Sequence, residues 1–218
     1  MKINEVGRSM LEMLGVLAIV GVLSVGGVAG YSKAMTSYKM NKLLGEYADF
    51  FSDVIRYKED WCYERRIRDP EGYAANSLFK ISAFLDDVIK LPNGWSGDGP
   101  DEEGIYDSLG GLIYVYVRRT YLQFDIFLSS SESSKADADA VNKCRVILQR
   151  LLKEYVDDFQ WVAMFHKTVR QSDYFYGSRF CHEEGNKCYS DITLDEINSM
   201  CGVEVEDVSG LAITVKMY

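Results

Sequence analysis

The sequence has little proline and no excess of positive charge. Its 218 residues include three prolines, which excludes a collagen-like or proline-rich architecture. The formal net charge is −9, so a general basic surface for nucleic acid is excluded. No nucleophile elbow, P-loop or dinucleotide-binding fingerprint occurs, and we therefore expect the chain not to be an enzyme.

The apolar residues are ordinary in number but uneven in distribution. Hydrophobic residues make up 47% of the chain, enough for a real core, which excludes wholesale disorder. Between Met13 and Ser32, twenty consecutive residues carry no formal charge. As a helix this run would be about 30 Å long, which matches the hydrocarbon core of a bilayer. Residues 1–40 hold more basic than acidic residues, so the acidity belongs to the rest of the chain.

Three interpretations of this apolar run compete. A cleaved signal peptide would need a short apolar region and an A-x-A-like cleavage site, and Val28-Ala29-Gly30 is a poor one. A plain membrane anchor is the second interpretation. The third depends on the residues that precede the run.

The segment Gly7-Arg8-Ser9-Met10-Leu11-Glu12, followed at once by the apolar run, resembles the N-terminus of type IV prepilins and pseudopilins. The resemblance implies a leader over residues 1–7 and cleavage by a membrane peptidase between Gly7 and Arg8. Glu12 would then be the fifth mature residue, as in that family. Arg8 stands where the family usually has phenylalanine, methionine or leucine, whose amine becomes methylated.

By resemblance, the protein is a structural subunit of a type IV pilus or of a type II secretion-like pseudopilus. The implied partners are copies of itself or other pilins in a helical filament, the prepilin peptidase, the inner-membrane assembly machinery and membrane lipid, and no nucleic acid. The implied location is the bacterial inner membrane, with one span and a periplasmic head, and then a periplasmic or extracellular filament. The alternative is a single-span, membrane-tethered periplasmic module for binding or adhesion.

Glu12 has a specific role in this resemblance, which is to pair with the new N-terminal ammonium of a neighbouring subunit. Opposite charges in an apolar bundle attract strongly, while either alone pays a large desolvation cost. Such a pair is better suited to fix register than to add net stability. The alternative is that Glu12 lies at the level of the lipid headgroups.

The apolar run is rich in glycine, and Gly21, Gly26, Gly27 and Gly30 are candidates for helix packing. Each glycine in a helix interior costs roughly 1 kcal/mol relative to alanine. Gly26-x-x-x-Gly30 fits the spacing that lets membrane helices approach closely. A simpler interpretation is that these are ordinary glycines of a membrane helix. By resemblance, Gly26 and Gly27 could instead let the helix stretch or melt during assembly, since the family often has a helix-breaking proline in this region and none is present here.

The predicted fold is α+β and pilin-like, with a long N-terminal helix packed on a small antiparallel sheet and additional helices. Apolar residues recur at three- and four-residue steps from Met40 to Ile55, so the helix is expected to run from Ser9 to Trp61. The predicted domains are a leader over residues 1–7, the long helix over 8–62 with a membrane span at 13–32, and a head over 63–218.

The head is predicted to contain both helices and strands. We expect an irregular segment at 63–76, helices at 77–91 and 135–158, and a short helix with a Thr193–Glu196 capping box that ends at Gly202. Ser134 and Asp137 are expected to cap the helix at 135–158. Strands are expected at 111–118, 120–128 and 211–217, with two more within 159–177.

All five cysteines lie outside the apolar run, and an exported head favours disulfides. Cys181 and Cys188 bracket a short loop and are the preferred pair, with Cys181–Cys201 or Cys188–Cys201 as alternatives. Cys144, on the inward face of a predicted helix, is expected to stay a thiol. Pilins commonly have a disulfide near the C-terminus, which corresponds here to 181–201. Zinc bound by Cys181, His182 and Cys188 is disfavoured by the spacing.

No cofactor is expected. The acidic loop from Asp98 to Glu103 offers several carboxylates to a hard cation such as calcium, although its spacing is not that of an EF-hand. A solvated acidic loop is the simpler interpretation.

Overall fold

The computed structural model describes residues 5–75, 77–82, 85, 88–97, 103–118, 121–128, 138–166, 174–183, 185–202 and 209–216. The chain divides into two compact units, Met1–Asn41 and Lys42–Tyr218, which are taken in turn below. The first helix, α1, comprises Glu5–Arg56 and contributes to both units.

In the first unit, every described side chain between residues 12 and 35 is exposed. Valine, leucine and isoleucine cover all sides of the helix here. A helix that is apolar all round is found where protein or lipid surrounds it.

In the second unit, α1 has one buried face. Tyr47, Phe51 and Val54 follow the three- and four-residue spacing of a helix and are almost fully buried. The helix predicted to reach Trp61 ends at Arg56. The indole Nε1 of Trp61 donates to the carbonyl of Val54 at 2.9 Å, which ties the next helix to the end of α1.

Helices α2 (Lys58–Arg68) and α3 (Pro70–Ala75) follow directly. The expectation of an irregular segment at 63–76 is therefore wrong for residues 63–68 and 70–75. Pro70 opens α3, where a backbone N–H would have no partner within the helix and where the fixed φ of proline suits the first turn. The high charge of this segment, which suggested a loop, instead places acidic residues in the first turn of α2 and basic residues in its last turn.

The head contains a mixed, mostly antiparallel sheet. Its described strands are β1 (Phe79–Lys80), β2 (Ile105–Tyr106), β3 (Leu112–Val117), β4 (Tyr121–Phe127), β5 (Phe159–His166), β6 (Phe175–Tyr176), β7 (Lys187–Cys188) and β8 (Ser209–Lys216). The spatial order is β1-β3-β4-β8-β5-β6-β7, with β2 beside β3, and only the β6–β7 pair is parallel. The C-terminal strand thus lies in the middle of the sheet, between β4 and β5.

The strands predicted at 111–118 and 120–128 are confirmed, and they alternate as half-buried strands should. Ile113, Val115 and Val117 of β3 are fully buried, while the residues between them are half-buried. The same alternation buries Phe124 of β4, whose ring centroid lies 4.5 Å from that of Phe51. One face of the sheet therefore packs on residues 43–54 of α1 and forms the core of the head.

The helix predicted at 77–91 is wrong. Phe79 and Lys80 pair with Val117 and Tyr116 as strand β1. Of the described residues between 81 and 91, Ser82 has a 3₁₀ conformation and the others form turns, bends or irregular structure. Ile81, Leu85 and Ile89 are nevertheless buried. Their four-residue spacing suggested a helix. The segment instead brings these three side chains into the same core without an α-helix in its described residues.

The second long helix contains an irregular turn. α4 (Ala138–Val146) continues through a π-helical turn, Ile147–Leu151, into the short α5, Leu152–Glu154. The Tyr189 hydroxyl donates to the carbonyl of Leu148 in this π turn. The helix predicted at 135–158 thus ends at Glu154, and the proposed Ser134–Asp137 cap lies outside the described residues.

The C-terminal helix and strand were predicted accurately. Helix α6 (Leu194–Cys201) begins with the Thr193–Glu196 capping box and ends at Gly202, as expected. The strand expected at 211–217 is β8, although Met217 lies outside the described residues.

Candidate functional site

The sequence motif lies at the start of α1. The candidate processing residues Gly7 and Arg8 lie within the helical backbone, and Glu12 is exposed at the start of the apolar run. Helix α1 is long and apolar enough to cross a membrane, and its most apolar part is wholly exposed. The exposed side chains include Leu17, Val22 and Val28, each at least 66% exposed.

Among the described residues, no contact requires glycine at any of the four candidate packing positions. A Cβ added at Gly21, Gly26, Gly27 or Gly30 would meet nothing within 4 Å. Alanine would therefore fit each position and would favour the helix by about 1 kcal/mol. The chain itself gives no reason for these glycines, so any reason lies in what surrounds the helix.

The head contains a buried polar cluster that joins three elements. Asp107, in the loop after β2, contacts the Lys143 ammonium of α4 through Oδ2. The Tyr47 hydroxyl of α1 donates to the same oxygen at 2.8 Å. The other carboxylate oxygen, Oδ1, accepts from the backbone N–H groups of Leu109 at 2.9 Å and Gly111 at 2.8 Å.

Two glycines shape the loop around this carboxylate. Gly110 has φ of +82°, a conformation that L side chains rarely adopt, and its N–H donates to the carbonyl of Asp107 at 2.8 Å. Gly111 faces the Lys143 ammonium so closely that an added Cβ would collide with it. A larger residue at 111 would therefore crowd the contact between Lys143 and Asp107.

Burial and the neighbouring charges act against each other in the electrostatics of the cluster. Burial lowers the pKa of Lys143, although the neighbouring Asp107 carboxylate acts in the opposite direction. Burial alone would raise the pKa of Asp107, but the Lys143 ammonium and the hydrogen bonds outweigh it and hold the pKa below its usual range. Burial, and then the Asp107 charge, raise the pKa of Tyr47 well above its usual value, so Tyr47 remains a donor.

A second buried carboxylate lies beside this cluster. Glu46 of α1 accepts a hydrogen bond from the Trp95 indole at 3.1 Å and another from the Ser108 hydroxyl at 2.5 Å. Its other oxygen faces the Lys42 ammonium at 3.4 Å. Glu46 and Tyr47 thus attach adjacent residues of α1 to the loop at 107–111, which fixes the position of this part of the helix in the head.

The face of the sheet that points away from α1 carries a half-buried aspartate among aromatic rings. Asp125 of β4 lies opposite Tyr114 of β3 and Ala212 of β8. Gln123 donates to it at 2.8 Å. Burial raises the pKa of Asp125 to about 6. The rings of Tyr114 and Phe127 meet edge to face on the same surface, with centroids 5.3 Å apart.

Two disulfides connect parts of the head. Cys181 is joined to Cys188, seven residues away, which is the pair that the sequence favoured. Cys201 is joined to Cys144, and the expectation that Cys144 stays a thiol is wrong. Cys144 does lie on the buried face of α4, as expected, but α6 brings Cys201 to it. Cys62 lies outside both disulfides.

The acidic loop lies largely outside the described residues, since Asp98, Asp101 and Glu102 are not among them. Glu103 is described, and its carboxylate pairs with the Lys80 ammonium at 2.6 Å. In the part of the chain that the structure describes, no group of three or more histidine, cysteine or acidic residues is placed to hold a metal.

Comparison with known proteins found no match to this chain among protein family models, curated proteins or solved structures.

Proposed function

We propose that this protein is a structural subunit of a type IV pilus or of a type II secretion-like pseudopilus. The observation that carries the proposal is a segment of α1 with an exposed apolar surface on every side, directly preceded by the Gly7–Glu12 motif at the start of the same helix. The function proposed is assembly through this helix after cleavage at Gly7, and not catalysis.

The exposed apolar surface of α1 would be covered in two successive environments, first by lipid and then by other subunits. Burial of each large apolar side chain is worth about 1.5–3 kcal/mol, so this surface strongly favours lipid or other helices over water. A bilayer can cover it in the subunit before assembly, and the helices of neighbouring subunits can cover it in a filament. Glycines at 21, 26, 27 and 30 would then allow close helix contacts, which explains residues that the isolated chain does not need.

Glu12 supplies register in this proposal. A carboxylate at the edge of an apolar segment is costly without a partner of opposite charge. The amine released by cleavage between Gly7 and Arg8 is such a partner when it comes from a neighbouring subunit. The pair would favour one axial offset between helices, because only that offset brings the two charges together inside the apolar bundle.

The head is compatible with this assignment at the level of architecture. It combines an N-terminal helix, packed on one face of a mostly antiparallel sheet, with additional helices. We propose that the head is periplasmic while the subunit waits in the inner membrane. Two disulfides suit this compartment.

Mass spectrometry of the N-terminus of the membrane-extracted protein tests the proposal. A mature chain that starts at Arg8, with or without an added methyl group, supports it. An intact Met1 contradicts it and favours the alternative of a membrane-tethered periplasmic binding or adhesion module.

The role of Glu12 is tested by Glu12→Ala, with the exposed Glu59→Ala on α2 as a matched control. Filament assembly should fail in the Glu12 variant and persist in the control, while both heads keep the wild-type unfolding midpoint. Normal filaments from Glu12→Ala would remove the role proposed for this residue.

A further inference from the structure

Lys143 and Asp107 meet inside the head in an unusually enclosed contact. The lysine side chain is 5% exposed and the aspartate side chain is fully buried. Each buried charge costs several kcal/mol of desolvation, which their mutual attraction and the hydrogen bonds to the carboxylate must offset. The contact also holds an amine and a carboxyl group together, two groups that can react with each other.

The carboxyl group of Asp107 is held in a way suited to acyl chemistry. Two backbone N–H groups, of Leu109 and Gly111, point at Oδ1. Paired donors of this kind stabilise the negative charge that develops on an oxygen when a nucleophile adds to its carbon. The other oxygen, Oδ2, contacts both the Lys143 amine and the Tyr47 hydroxyl.

We propose that Lys143 and Asp107 condense spontaneously into an intramolecular amide cross-link. The Lys143 ammonium first gives one proton to Oδ2, and the neutral amine then attacks Cγ. The new Nζ–Cγ bond places negative charge on Oδ1, where the two N–H groups hold it. The nitrogen then gives a second proton to Oδ2 and keeps the third. The Cγ–Oδ1 double bond re-forms as the Cγ–Oδ2 bond breaks, and Oδ2 leaves as water.

The driving force for this step follows from burial. An ion pair becomes a neutral amide, so two desolvated charges disappear and water is released to the solvent. Fixing the amine against the carboxyl group replaces a bimolecular encounter, and well-oriented groups reach effective molarities of about 10⁵ M or more. Burial also lowers the pKa of Lys143, which favours the nucleophilic amine. The pKa of Asp107 is held below its usual range, so the neutral pair is the minor form, and the reaction proceeds from it.

Tyr47 has a defined part in the step. Its hydroxyl is 2.8 Å from Oδ2, the oxygen that leaves, and donates a hydrogen bond to it. This donor assists the departure of Oδ2 as water. The product would join the loop after β2 to α4 covalently, close to the point where both contact α1.

The test is the intact mass of the full-length protein, extracted from membranes, fully reduced, alkylated and denatured. We expect the wild-type chain to be lighter than its sequence mass by one water molecule, after allowance for N-terminal processing. Peptide mapping should find a branched peptide that joins Lys143 to Asp107. Because the branched peptide and the N-terminal peptide are read separately, failure of the cross-link and failure of the proposed function are distinguishable.

Two variants sharpen the test. Lys143→Arg keeps the positive charge but lacks the amine, and should show the full mass. Tyr47→Phe keeps the ring and loses the donor, and should accumulate uncross-linked chain at early times. Full mass in the wild type after prolonged incubation, or water lost from another peptide, overturns the proposal and leaves an ion pair only.

Discussion

The two units of this chain use apolar residues in opposite ways. In the first unit, leucines, valines and isoleucines between residues 13 and 28 are exposed, and within the described chain they stabilise no fold beyond their own helix. In the second unit, the corresponding residues form one buried core between a sheet and residues 43–54 of the same helix. A helix can therefore satisfy its backbone hydrogen bonds internally and still need lipid or another protein to cover its apolar side chains.

The largest expected effect comes from removing one ring from the core of the head. Phe124 is fully buried against Phe50 and Phe51. Phe124→Ala should lower the free energy of unfolding of the head by about 3–5 kcal/mol, because the core cannot close fully around the lost ring. Urea denaturation in detergent, followed by near-ultraviolet circular dichroism, measures this change.

Leu17→Ala in α1 is the matched variant, since it also removes apolar atoms but from an exposed position. It should leave the unfolding of the head unchanged and weaken membrane retention instead. If both substitutions destabilised the head equally, the contrast between the units would be wrong.

The two disulfides provide a smaller contrast within the head. Cys144–Cys201 closes a separation of 57 residues and Cys181–Cys188 one of 7. In the chain-entropy account, removing the first by paired Cys→Ala substitutions should cost about 4 kcal/mol and removing the second about 2.5 kcal/mol. Denaturation midpoints of the two double variants test this order. The reverse order would mean that native contacts, and not chain entropy, decide.

The smallest expected effect concerns Asp125, on the face of the sheet away from α1. Its pKa is raised to about 6, so the folded state binds a proton more tightly than the unfolded state. Stability from this group is therefore fully present below the ordinary aspartate pKa and is lost as pH rises through about 6. Asp125→Asn should stabilise the head by about 1–3 kcal/mol at pH 7 and by little below pH 4.

The exposed Asp157→Asn variant is the control for this pH dependence. Because it removes the same charge from an exposed position, it should not reproduce the stabilisation at pH 7. An Asp125→Asn variant that parallels the wild type at every pH would show that this carboxylate is better solvated than its surroundings indicate.

Much of the architecture could be predicted because it depends on residues that are close together in sequence. The alternation in β3 and β4, the Thr193–Glu196 capping box and the apolar face of α1 each report on near neighbours in sequence. The prediction of a helix at 77–91 failed because the spacing of its apolar residues is also typical of a helix. The pairing of Phe79 with Val117 instead makes the start of the segment a strand. Partners distant in sequence overrode the local preference.

The polar cluster could not be predicted for the same reason. In the sequence, Lys143 looks like an ordinary solvated charge on a helix. Its partner Asp107 is 36 residues away, and no local pattern connects the two. The position of Asp125 could have been noticed, since it is the acidic residue in a strand, Tyr121–Phe127, that is mostly aromatic and aliphatic. A charge that interrupts a strand pattern is therefore a useful signal of a special position.

The π-helical turn at Ile147–Leu151 has a consequence for how the head can change over evolutionary time. A π turn accommodates about one residue more than an α turn, so it behaves as a one-residue insertion retained inside the helix. Deleting a residue there would rotate Leu152 by about 100° relative to Lys143 and Cys144. Either the buried ion pair and the Cys144–Cys201 disulfide or the buried position of Leu152 would then be lost. Insertions and deletions should consequently be tolerated in the surface loops but not at this turn.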